Sequence, residues 1–189
     1  MKILFLNPPF LKKFSRPQRS PAVTKSGTLY FPMWLAYAAG AAMDRGFEVD
    51  FIDAPADGLG VEDVVERARA FNPGLIVMDT STPSIRNDVS VGARLKDACP
   101  SAFILLVGTH VSALPEETLR LDKRIDAVAR YEYEQTVVEL AGALEKKGDF
   151  RAVAGIACLK DGVLVNTPKR PYLEDLDKLP FVSTVYKKF

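Results

Sequence analysis

Five short apolar runs, at residues 3–6, 47–52, 75–78, 103–107 and 126–129, punctuate this chain, and after each one the sequence takes up apolar residues at helical spacing. Helices are expected at about 33–45, 61–71, 84–99, 115–121 and 134–147. Strand and helix thus alternate five times through short connections. Consecutive parallel strands need a crossover, and a helix is the usual one, so the pattern calls for a parallel sheet covered on both faces. The run 3–6 is continuously apolar, as a strand buried on both sides is, whereas 47–52 alternates around Glu48 and Asp50. A flavodoxin-like, doubly wound α/β sheet of the Rossmann-like class follows, and in such sheets ligands bind in the loops at the carboxyl ends of the strands.

Those loops have distinct chemistry. The first strand stops at Asn7-Pro8-Pro9 and opens into a long segment, 10–31, which carries Pro17, Pro21 and the cations Lys12, Lys13, Arg16, Arg19 and Lys25 without periodicity. A loop of that length in a compact domain is functional or mobile. Pro32 suits the first position of the helix that follows, where Trp34, Leu35, Ala38, Ala41 and Ala42 form an apolar stripe ended by Gly46. After the third strand, Asp79-Thr80-Ser81-Thr82-Pro83-Ser84 gathers hydroxyls and free amides, with Ser84 placed to cap the next helix. After the fourth come Gly108, Thr109, His110 and Val111. Further on, Asp161-Gly162 between the runs 156–160 and 163–166 predicts a two-residue β-hairpin. Residues 167–189 hold three prolines and many charges without periodicity, as a linker does. The division expected is a domain at 1–149 and a hairpin with linker at 150–189.

At 189 residues, 48% of them hydrophobic, the chain can bury one core of roughly 150 residues. A formal net charge of +1 argues against nucleic acid or anionic membrane as a general electrostatic partner. No apolar stretch approaches the roughly 20 residues that span a bilayer, and Met1-Lys2 leads directly into a strand with no signal-peptide pattern. Cys99 and Cys158 lie too far apart in sequence for a zinc knuckle or an iron–sulfur cluster built from this chain's cysteines alone. They read as buried thiols of a reducing cytoplasm.

His110 is the sole histidine, so triad chemistry has one candidate base, and its place after a strand makes it either a cofactor contact or a cap on local backbone. Asp79 stands where a phosphate-accepting receiver keeps its aspartate. Asn7-Pro8 and Arg130 occupy the positions where a receiver has an acidic pair and a lysine, which argues against that chemistry. No Gly-x-Gly-x-x-Gly follows the first strand, and prolines there supply no amide donors for a dinucleotide.

Taken in order, Ile3-Leu4-Phe5-Leu6-Asn7-Pro8-Pro9, Pro32 with Trp34-Leu35-Ala36-Tyr37, Val107-Gly108-Thr109-His110-Val111-Ser112-Ala113-Leu114-Pro115-Glu116-Glu117, Arg130 to Thr136, and Asp175-Leu176-Asp177-Lys178-Leu179-Pro180-Phe181 resemble the amino-terminal half of cobalamin-dependent radical S-adenosylmethionine proteins. The resemblance covers essentially the whole chain. It implies a cobalamin-binding Rossmann-like domain, followed in the complete protein by a barrel whose iron–sulfur cluster cleaves S-adenosylmethionine. The chain then ends in the linker before that barrel. The corrinoid would serve as methyl carrier or redox partner for radical methylation or cyclisation.

Under this resemblance the cofactor-binding residues expected at the strand ends are Asn7, Pro8, Thr80, Ser81, Thr82, Gly108, His110, Val111, Arg130, Tyr131 and Glu132, with no catalytic residue and no metal ligand from this chain. The Asp-x-His-x-x-Gly motif that places histidine on cobalt is absent, since Gly108-Thr109 precedes His110. Thr109 replaces one of a pair of glycines usual in the family, and Tyr131 and Tyr133 replace the glycines that flank a glutamate. The two tyrosines would either occupy the space for the cofactor's nucleotide tail or stack on it. They leave a second expectation, a domain that has lost cobalamin and serves in structure or partner docking.

Overall fold

A computed structural model describes residues 1–16 and 27–189. The part of the long first loop that holds Pro17, Arg19, Pro21 and Lys25 lies outside the described residues. Among the described residues seven strands form one sheet: β1 (Lys2–Asn7), β2 (Glu48–Asp53), β3 (Leu75–Asp79), β4 (Phe103–Val107), β5 (Ala127–Ala129), β6 (Ile156–Lys160) and β7 (Val163–Asn166). The order is β2-β1-β3-β4-β5-β6-β7, with β1 to β5 parallel and β6 and β7 antiparallel. The first five strands give the flavodoxin-like order.

The continuous apolar strands are explained by two cores, one on each face, because successive side chains point to opposite sides. Ile3, Phe5, Val77, Leu105 and Ala127 pack with α1 (Met33–Asp44) and α7 (Glu134–Glu145). Leu4, Leu6, Met78, Ile104 and Val128 pack with α3 (Val61–Phe71), α4 (Ile85–Ala98) and α6 (Pro115–Leu119). Three short helices complete the set: α2 (Ala54–Asp57), α5 (Thr109–Ala113) and α8 (Val182–Tyr186). At four or five residues each, they are too short to show a helical period. Among the described residues no helix is long and apolar enough to cross a membrane.

The hairpin turn has Asp161 at φ 53° and Gly162 at φ 77°, the two positive angles of a type I′ turn. The hairpin also joins the main sheet, pairing Val128 with Ala157 and Ala129 with Ile156. It thereby covers the edge of β5, a strand of only three residues.

Residues 167–189 fold back over the same domain. Val185 is fully buried against α1, and a Cβ added at Gly40 would lie 2.7 Å from Pro180 Cγ. Trp34 departs from the stripe its spacing suggested: it is 59% exposed, while Ala36 and Ala39 join Leu35 and Ala38 in the core. It sits in the first turn of α1, beyond the carboxyl edge of the sheet, where no strand remains to cover it. Ser84 precedes α4 without capping a main-chain amide. Its hydroxyl donates to the buried Asp88 carboxylate one turn on, at 2.6 Å.

Candidate functional site

A cavity of about 1040 Å³ opens over the carboxyl ends of β3, β4 and β5. The turn 79–83 forms one wall, Gly108, Thr109, Ser112 and Ala113 a second and residues 131–134 a third. Trp34 and the returning C-terminal segment, through Tyr172, Leu173, Leu176 and Leu179, complete it. Small-molecule sites usually run to roughly 300–1,000 Å³, so this one suits a large ligand.

Gly108 sets the spacing of the floor. It adopts φ 123°, and a Cβ there would lie 2.6 Å from the Thr80 carbonyl oxygen, too close for any other residue. The Thr80 amide and hydroxyl both donate to the Val107 carbonyl, at 3.0 and 2.7 Å, which binds the two strand ends together. Ser112 links this floor to the third wall: its hydroxyl donates to the Gly108 carbonyl and accepts the Tyr131 amide, each at 2.8 Å. His110, 7% exposed, has Nδ1 3.1 Å from Thr82 Oγ1 and so braces the hydroxyl-rich turn.

The third wall carries the two tyrosines. Tyr131 keeps the left-handed backbone that glycine would favour, with φ 64°. Such a conformation costs a bulky residue about 1–2 kcal/mol. Its ring stands half exposed at the mouth, with Lys169 Nζ 4.8 Å and the Arg130 guanidinium carbon 6.0 Å from its centroid. Lys169 also donates to the Tyr172 hydroxyl at 3.2 Å, and the Leu173 amide donates to Glu132 Oε2 at 2.8 Å, so this wall holds the C-terminal segment over the site. Tyr133 and Glu134 are 5% and 4% exposed. Among the described residues Tyr133 Oη, Glu134 Oε2 and the nearby Arg130 Nε are buried without a hydrogen-bond partner. Burial pushes the Tyr133 phenol well above its ordinary range, with the charges of Asp79 and Glu134 adding to the effect. Burial also raises the Glu134 carboxyl, against the pull of main-chain amides.

Beneath the turn 79–83 lies a charged network. Arg16, which also lines the cavity, pairs with Asp88 at 2.5 Å, donates to Asn7 Oδ1 at 2.8 Å and donates to the Pro8 carbonyl. Asn7 in turn donates to Asp53 Oδ1 at 2.8 Å. Asp79 ends β3 beside this network. Burial lifts its carboxyl to about 7; Arg16 opposes the rise and Asp88 and Asp53 add to it.

Of the residues expected at the site, Thr80, Ser81, Thr82, Gly108, Tyr131 and Glu132 line the cavity together. Asn7 and Pro8 lie under it and hold Arg16. Val111 is fully buried in the core beneath α5, and His110 supports the turn without lining the cavity. Arg130 donates to the Thr167 carbonyl at 2.8 Å and flanks the wall. Arg16, Trp34, Ser112, Glu134 and the four residues of the C-terminal segment line the cavity without having been expected there. Arg16 and the C-terminal residues depend on how 10–16 and 167–179 fold back, which local periodicity does not encode; Trp34, Ser112 and Glu134 lie in the first turns of helices that follow strand ends. A group of three side chains able to hold a metal ion is absent among the described residues.

The B12 binding domain family model matches residues 19–141. An uncharacterised methyltransferase of Pyrococcus horikoshii, PH0819, is 30% identical over 183 residues, covering 97% of this chain and 38% of that protein. The anaerobic magnesium-protoporphyrin IX monomethyl ester cyclase of Rubrivivax gelatinosus is 29% identical over 184 residues, covering 95% and 32%. The chain therefore spans about a third of the length of these curated relatives. Among solved structures, the radical S-adenosylmethionine methyltransferase TsrM of Kitasatospora setae, with cobalamin and an iron–sulfur cluster bound, superposes with a TM-score of 0.71 at 17% identity, over 95% of this chain and 30% of that one. The cobalamin-dependent radical enzyme OxsB, with aqua-cobalamin and S-adenosylmethionine bound, gives 0.72 at 12% identity, over 90% and 22%. These two show a shared fold. With the family match running through α1, the strands β2 to β5 and into α7, and a cavity standing where such folds take their ligands, the chain belongs to the B12 binding domain family.

Proposed function

We propose that the cavity over β3, β4 and β5 holds cobalamin, and that the chain is the corrinoid-binding module of a radical S-adenosylmethionine methyltransferase or cyclase. The observation that carries this reading is a cavity of about 1040 Å³ over the carboxyl ends of parallel strands, lined by the turn 79–83, by Gly108 and by residues 131–134. The residues present fit the group. Gly108 lets β3 and β4 approach closely beneath the cavity, Trp34, Tyr131 and Tyr172 offer aromatic faces to it, and Asp79, Ser81, Thr82 and Glu132 line it with polar groups suited to an amide-rich cofactor. Tyr131 and Tyr133 both line the cavity.

Cobalamin supplies a cobalt centre that carries a methyl group or exchanges electrons. This chain's own residues bind and orient: Ser112 and Thr80 fix the floor, and Glu132 with Lys169 draws the C-terminal segment over the ligand. His110, bonded to Thr82 and outside the cavity lining, would support the turn beside the cofactor. The iron–sulfur cluster and S-adenosylmethionine would belong to a radical domain downstream, in keeping with relatives about three times as long. Two free, buried cysteines suit a reducing cytoplasm. Equilibrium dialysis of the purified chain against hydroxocobalamin, followed by its visible spectrum, tests the reading. Retention at one equivalent is expected, and no retention by this chain or by a version that includes its downstream domain overturns it.

A further inference from the structure

Asp79, the last residue of β3, sets a carboxyl at the floor of the cavity with one oxygen to spare. Along β3 side chains alternate between faces: Val77 packs with α1 and α7 and Met78 with the helices opposite, so Asp79 points to the face of α1 and α7. On that face Trp34 and Tyr133 line the cavity with it. Asp79 is partly exposed, its Oδ1 accepts the Thr80 amide at 3.0 Å, and among the described residues no other hydrogen bond or ion pair reaches the carboxyl. The side-chain atoms buried there without a partner are Arg130 Nε, Tyr133 Oη and Glu134 Oε2. Asp79 Oδ2 is not one of them, so this oxygen stays open to the cavity.

Charges face Asp79 from several elements. Arg16 of the first loop favours its ionised form, while Asp88 of α4 and Asp53 at the end of β2 oppose it. Tyr133, just before α7, senses the Asp79 charge, Glu132 and Glu134 line the same wall, and His110 holds Thr82 in the turn that Asp79 begins. Among the described residues Arg16 is the one cation in the cavity lining, and Asp88, Asn7 and Pro8 already occupy it. An ionised Asp79 thus has no cation of its own.

We propose that Asp79 couples cofactor binding to a proton: with the corrinoid in place its carboxyl is neutral and donates from Oδ2 to a carbonyl oxygen of the ligand, and binding weakens as that proton is lost. The proposal rests on the cofactor reading above and adds to it a group that regulates occupancy. Corrinoids carry amide carbonyls able to accept such a bond, and a neutral macrocycle over the cavity floor takes water from Oδ2, which disfavours the charged form further. Burial already lifts the carboxyl to about 7, so without ligand the proton is held below neutral pH and released above it. Above pH 7 each binding event must then recover one proton, and affinity falls by about tenfold per pH unit until the carboxyl of the complex also titrates. Asp79 binds the cofactor and takes no part in bond making.

The probe is cyanocobalamin, which is neutral and whose cyanide stays bound to cobalt across the range used. Equilibrium dialysis at pH 6, 7, 8 and 9 gives the affinity, and calorimetry at pH 8 in phosphate and in Tris gives the protons taken up. For the unaltered chain we expect nearly level affinity from pH 6 to 7, about a tenfold loss from pH 7 to 8, and uptake of about one proton. In Asp79→Asn, where the amide keeps a donor in place and has no proton to lose, both effects are expected to vanish. Affinity that is level or rises from pH 7 to 9 in the unaltered chain overturns the proposal, and so does a slope that persists in Asp79→Asn, which assigns it to another group such as His110. The profile of the unaltered chain decides the matter even if the variant fails to fold. No binding at any pH, by this chain or by a version that includes its downstream domain, overturns the cofactor reading itself, whereas binding without proton uptake overturns the role of Asp79 alone.

Discussion

Arg16 Nη2 lies 2.5 Å from Asp88 Oδ1, and the two side chains, 72 residues apart, are sealed from solvent at 1% and 0% exposure. The pair pins the first loop to α4 directly beneath the cavity. Removing one partner strands a buried charge, so Arg16→Ala is expected to cost about 3–5 kcal/mol in urea unfolding. Replacing both, Arg16→Met with Asp88→Leu, is expected to cost less than either single change, because no charge is left alone. Equal or larger loss in the double variant would show that the hydrogen bonds to Asn7 and Pro8 carry the effect.

Gly108→Ala meets two obstacles at once, a φ of 123° and a Cβ 2.6 Å from a main-chain oxygen. A loss of at least about 2 kcal/mol is expected, together with weakened cobalamin retention as β3 and β4 part at their carboxyl ends. Urea unfolding and dialysis measure the two effects separately.

Asp79 makes stability depend on pH. Its carboxyl titrates at about 7 in the folded chain and near 3.8 when unfolded, so between these values the folded chain holds a proton that the unfolded chain has released. This contribution is fully present below pH ~4 and is lost as pH rises through 7, at a slope of up to ~1.4 kcal/mol per pH unit. Asp79→Asn is expected to flatten that slope. Unfolding curves at pH 5, 6 and 7 for both chains give the comparison.

Tyr131 separates backbone strain from side-chain contact. Tyr131→Ala keeps the left-handed strain and loses the ring, whereas Tyr131→Gly loses the ring and the strain together. The glycine variant is expected to be more stable than the alanine variant by about 1 kcal/mol, measured by urea unfolding.

Tyr133→Phe removes a buried hydroxyl that nothing in the described fold satisfies. Without ligand the variant is expected to be about 1 kcal/mol more stable than the unaltered chain by urea unfolding.

The flavodoxin-like sheet, its parallel order and the hairpin at Asp161-Gly162 were legible in the sequence, because each rests on local chemistry: apolar runs buried on two faces, helical spacing and a turn that needs positive φ. So were the strand-end positions of Thr80, Ser81, Thr82, Gly108, Tyr131 and Glu132, since the end of a strand is a local event. What tertiary structure decided was which neighbours those positions meet. Arg16 reaches Asp88 across 72 residues, Glu132 takes the amide of Leu173, and α8 buries Val185 against α1, although 167–189 has no period to announce it. His110 and Val111 follow a strand as the cavity residues do, yet the one-turn helix α5 rotates them toward the turn and the core. Periodicity reports a residue's relation to its own element. The cavity is made of relations between elements, and only the closed chain brings those into contact.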